Sequence, residues 1–111
     1  MIPYADTNFF TNRLLNLTHN AAADLLAESH EMYRYPPLPV TWLLRLELTN
    51  ALQRVVFESR HGSQHFRATP ESVMIADILH VASALLLGCD TFWSFDVKAL
   101  KLAKLEGLKT N

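Results

Sequence analysis

With 111 residues, half of them hydrophobic, and a formal net charge of -1, the chain has apolar material for one core and too little positive charge to coat a nucleic acid. Cys89 is the single cysteine, so a disulfide-stapled secreted fold is excluded. No apolar run reaches the roughly 18 residues of a membrane span, and MIPYADTNFF lacks the basic start and apolar run of a signal peptide; a soluble, cytoplasmic, single domain over residues 1–111 is expected.

Ile2 to Ala5 reads as a short strand that hands over to Asp6-Thr7-Asn8, three helix-initiating residue types. Helices are expected from about Asn8 to Leu17 and from about Asn20 to Met32, with turn chemistry at Thr18-His19-Asn20 between them. Pro36, Pro37 and Pro39 exclude helix, and Leu38 to Thr41 is expected to be a short strand entered from an extended loop. Thr41 caps a helix from Trp42 to about Ser59, with Glu47 in its second turn and Asn50 and Arg54 further along the same side. RHGSQHFR, residues 60 to 67, reads as a loop. Thr69-Pro70 opens a helix that Gly88 stops after Leu87, Thr91 to Phe95 is a buried strand, and Val97 to Glu106 is an amphipathic helix with its lysines outward. All four lysines fall after residue 97, on what is most simply a solvated helix face. Leu108 to Thr110 forms a last strand, giving an α/β chain with a mainly parallel four-stranded sheet.

Ligands of such sheets collect beyond the carboxyl ends of the strands. Asp6 and Asp96 follow predicted strands directly, and Glu47 and Asp77 sit on helices that can reach the same edge. Four converging carboxylates repel one another unless a cation compensates them, and an all-oxygen set without thiolates suits Mg²⁺ or Mn²⁺ rather than zinc. Each acid also has a plainer reading. Asp6 and Asp96 can be helix caps, Glu47 with Asn50 and Arg54 can be the polar side of a half-buried helix, and Asp90 is a turn residue. Asp77 is hardest to explain by packing, because its helix is otherwise apolar except for His80 and Ser83; its plainer reading is a pair with His80 one turn later. His61 and His65 have zinc-ligand spacing, but the intervening Gly and Ser argue against a helix there and no third ligand completes the set.

The segments YADTNFF (4 to 10), LRLELTNAL (44 to 52), ADILHVASALLLGCDTF (76 to 92) and SFD (94 to 96) followed by LAKLEGLK (102 to 109) resemble the PIN-domain family of metal-dependent ribonucleases, in particular VapC-type toxins of toxin-antitoxin pairs. The resemblance implies an α/β/α sandwich whose pocket holds Mg²⁺ or Mn²⁺ on Asp6, Glu47, Asp77 and Asp96, with Ser94 as a supporting hydroxyl. It also implies hydrolysis of RNA phosphodiester bonds by a metal-activated water, a VapB-like antitoxin as partner, and a homodimer. The chain departs from the family pattern in one respect: only thirty positions separate Glu47 from Asp77, where the family places an additional helix or two and an edge strand. A minimal nuclease, a domain-swapped dimer, and a shortened PIN-like binding module without turnover are all compatible with that interval.

Overall fold

The computed structural model describes residues 2–32, 37–61 and 70–111. In chain order these form β1 (Pro3–Ala5), α1 (Thr7–Leu14), α2 (Asn20–Met32), α3 (Trp42–His61), α4 (Pro70–Leu86), β2 (Thr91–Trp93), α5 (Val97–Leu105) and β3 (Lys109–Thr110). The strands make one parallel sheet in the order β1-β2-β3, with Tyr4 beside Phe92 and Phe92 beside Thr110. Asp90 joins the strand starts: its carboxylate accepts from the Ile2 amide at 2.9 Å, and its carbonyl accepts from the Lys109 amide.

Strand alternation divides the core between the two faces of the sheet. Tyr4 and Phe92 stack at 5.8 Å on one face, packed with Leu44, Val81, Ala84, Ala99 and Ala103 of α3, α4 and α5. Ala5 and Trp93 turn to the other face, against Phe9 of α1 and Ala23 and Ala27 of α2. Every residue of β1 and β2 is therefore buried, as in sheets covered by helices on both sides. The four lysines all stand exposed, on and just after α5.

Three expectations need correction. Leu38 to Thr41 is irregular rather than a strand, so the sheet has three strands among the described residues; Pro37 and Pro39 lack the amide hydrogens a ladder needs. The first helix stops at Leu14 instead of Leu17, because Asn16 takes a left-handed conformation (φ 49°) and the Leu17 amide returns to the Asn12 carbonyl. The strand expected to run to Phe95 ends at Trp93: the Ser94 and Phe95 amides are taken by the side-chain oxygens of Asn111 and Asn8, so no ladder continues. Asp96 thus lies beyond a two-residue turn and not directly at the strand end. Of the expected RHGSQHFR loop, Arg60 and His61 belong to α3; the remainder, including His65, lies outside the described residues, as does the Thr69 cap.

Candidate active site

Beyond the carboxyl ends of β1 and β2, Asp6, Glu47, Asp77 and Asp96 line one cavity of about 340 Å³, together with Thr7, Asn8, His80, Asn50 and Arg54. Each acid arrives by a local device. Asp6 ends β1 and caps α1, its carboxylate accepting from the Phe9 amide at 3.2 Å. Asp96 caps α5 by accepting from the Lys98 amide at 2.9 Å, while its own amide donates to Ser94 Oγ at 3.0 Å. Glu47 stands in the second turn of α3, and Asp77 in the middle of α4. Capping and lining the cavity are therefore the same placement for Asp6 and Asp96, not rival readings.

Asp6 is only 4 % exposed, and burial pushes its carboxyl up to about 6 against the opposing bonds from the Ser94 hydroxyl and the Phe9 amide. Asp77 is raised to about 6 as well, by burial first and then by the negative charge of Asp96, with His80 and Lys98 acting against the rise and Glu47 adding to it. Asp6 in turn feels Asp77. The four acids thus form one mutually repelling group. Ser94 is fully buried; its hydroxyl lowers the Asp6 carboxyl and accepts the Asp96 amide, so it acts on two of the acids.

Glu47 behaves differently. Burial raises its carboxyl, but hydrogen bonds from His80 and Thr7 outweigh that and hold it below its ordinary value. Thr7 Oγ1 donates to Glu47 Oε1 at 2.8 Å, and His80 Nε2 meets the same oxygen. His80 therefore bonds to Glu47 across the helices, and not to Asp77 one turn before it on α4. On its other side, His80 Nδ1 lies 2.7 Å from the Tyr4 hydroxyl, itself 3.2 Å from Thr41 Oγ1. Sequence reading missed Tyr4, Thr7 and Thr41 as parts of the site. The available signal was His80 itself, a second polar side chain on the Asp77 face of an apolar helix.

The donor set suits a hard divalent cation in chemistry and in charge, since carboxylate oxygens crowd one cavity and two of them resist ionisation without a counter-charge. It is not a preassembled cage: among the described residues no three His, Cys, Asp or Glu side chains are gathered into a metal-holding group. No helix among the described residues is long and apolar enough to cross a membrane. No family model, curated protein or solved structure matches the chain at a significant level.

Proposed function

We propose that the chain is a metal-dependent endoribonuclease with a PIN-like α/β/α sandwich fold, acting as the toxin of a toxin-antitoxin pair. The observation that carries this reading is the convergence of Asp6, Glu47, Asp77 and Asp96 on one cavity at the strand ends, where their charges oppose one another. These residues would hold Mg²⁺ or Mn²⁺. When bound, the ion would neutralise the acids and supply the Lewis acidity that phosphodiester hydrolysis needs. Asp6 and Asp96 are fixed by their helix caps, Glu47 is kept ionised by two donors, and Arg54 at the cavity wall offers a cation to an RNA phosphate. The test is cleavage of a total-RNA panel with and without Mn²⁺ by the wild type and by Asp77→Asn. Cleavage that needs the ion and is lost in the variant supports the reading, and cleavage that survives the substitution sinks it.

A second reading, a shortened PIN-like binding module that dimerises or holds a VapB-like antitoxin without cutting RNA, draws on a separate observation. Ile75, Ile78 and Leu79 on α4 are about half exposed at spacings that place them on one helix face, while Val81 and Ala84 fill the core on the other. Trp42 at the start of α3 is 82 % exposed. An exposed apolar stripe on the side away from the core suits a protein partner on that outer face. A stable dimer or antitoxin complex with no ion-stimulated cleavage would favour this reading.

A further inference from the structure

The acids account for charge at the cavity, but not for the buried polar relay in its wall. Tyr4 is fully buried and His80 is 3 % exposed. Between them they connect Thr41, at the start of α3, to Glu47 one and a half turns later. The carboxylate fixes the direction of the first bond, and a neutral ring fixes the others. An ionised carboxylate can only accept, so Nε2 of His80 is the donor to Glu47; in a neutral imidazole Nδ1 must then accept, and the Tyr4 hydroxyl donates to it. Thr41 is left to donate to Tyr4, while its oxygen accepts from the Leu44 amide at 3.2 Å.

Both donors to Glu47, Thr7 Oγ1 and His80 Nε2, converge on Oε1. Neither engages Oε2. A carboxylate bound in this way has its rotation and its ionisation set by the protein, with one oxygen left over. The arrangement matches the outer-shell partners that orient ligating carboxylates and whose loss weakens metal binding.

We infer that His80, held in its Nε2–H tautomer between Tyr4 and Glu47, is a positioning residue that ties Glu47 Oε1 to the protein and leaves Oε2 for a ligand in the cavity. On the nuclease reading, on which the inference rests for the ligand's identity, that ligand is a divalent cation. Tyr4 thereby acts on the cavity without lining it.

Two measurements test this. The imidazole nitrogen shifts of metal-free protein, followed by ¹⁵N NMR over a pH series, should show the neutral His80 ring as the Nε2–H tautomer. Tyr4→Phe, which keeps the ring stacked on Phe92, removes the hydrogen bond to Nδ1 and should shift the Nδ1 resonance, while Glu47 still favours the Nε2–H form. Calorimetric titration with Mn²⁺ should then show affinity falling about 10- to 100-fold in Tyr4→Phe and in His80→Ala. His80→Gln, whose amide can still donate to Glu47, should recover most of the loss. An Nδ1–H tautomer in the wild type overturns the inference, as does Mn²⁺ affinity that is unchanged in both Tyr4→Phe and His80→Ala. A wild type that has the Nε2–H tautomer, loses its Nδ1 hydrogen bond in Tyr4→Phe and yet binds no Mn²⁺ would support the positioning of Glu47 and remove the nuclease reading.

Discussion

Replacing Asp6 by Asn separates the two things this side chain does, capping α1 and carrying charge into the cavity. Burial raises its carboxyl from 3.8 to about 6, so the folded protein binds this proton more tightly than the unfolded chain does. Between about pH 4 and pH 6 the folded state then holds more protons, and stability falls as pH rises through that window. At roughly 1.4 kcal/mol per pH unit, the ionised carboxylate costs the cation-free protein ~3 kcal/mol at neutral pH. Asn keeps an oxygen for the Phe9 amide and ranks with Asp as a helix cap. Rearranging the Ser94 hydroxyl against the new amide gives back about 1 kcal/mol. Asp6→Asn is therefore expected to stabilise the chelator-treated protein by ~1–2 kcal/mol at pH 7 and to give no gain near pH 4. Urea unfolding at the two pH values measures both. A variant less stable than wild type at pH 7, or a gain of equal size at pH 4, would refute the reasoning. Asp77, raised to about 6, acts in the same direction over the same window, with a smaller effect because it is partly exposed and solvent screens it. Glu47 acts oppositely: its lowered carboxyl contributes stability above the ordinary glutamate range, which is lost as pH falls through its folded value.

Saturating Mn²⁺ should raise the melting temperature at pH 7, since a ligand at a hundred times its Kd adds about 2.7 kcal/mol. The same ion should flatten the fall of stability with pH, and thermal scans of Asp77→Asn should show neither effect. Asn8→Ala removes the acceptor of the Phe95 amide at 2.7 Å and should cost about 1–2 kcal/mol, read from the urea midpoint; an unchanged midpoint would mean that this turn is held by other contacts. If a second copy covers the outer face of α4, Ile78→Glu should convert a dimer to a monomer on sizing. A wild type that is already monomeric removes that dimer.

The sequence was most legible where one physical cause dominated. The helix over Asn20–Met32 lies at the expected bounds, because its apolar spacing meets turn residues at its start. The acids stood out since charge at strand ends and inside an apolar helix has few structural uses, and all four line one cavity. The misread ends have a common origin. Leu17 and Phe95 continue the apolar pattern of their neighbours, but left-handed Asn16 turns the Leu17 amide back to the Asn12 carbonyl, and the distant Asn8 side chain takes the Phe95 amide. The relay was hidden for a related reason. Tyr4 looked like ordinary strand filling, and the residue that gives its hydroxyl a purpose is His80, separated from it by 76 positions.

The short interval between Glu47 and Asp77 raises the question of what aims Glu47, and its bonds answer it. Thr41 caps α3 through the Leu44 amide and meets Tyr4 of β1; Thr7 of α1 and His80 of α4 bond to Glu47 itself. α3 also packs on α1. Every one of these anchors among the described residues lies in β1, α1, the cap and first turns of α3 or the middle of α4. These anchors alone account for the direction of Glu47 Oε1. Inserting a few Gly and Ser residues between α3 and α4 should accordingly leave these anchors in place. Mn²⁺ affinity, measured by calorimetry, should stay at the wild-type value. A lengthened chain that folds but has lost Mn²⁺ binding would show that the connection, and not the Thr7 and His80 bonds, sets the direction of Glu47.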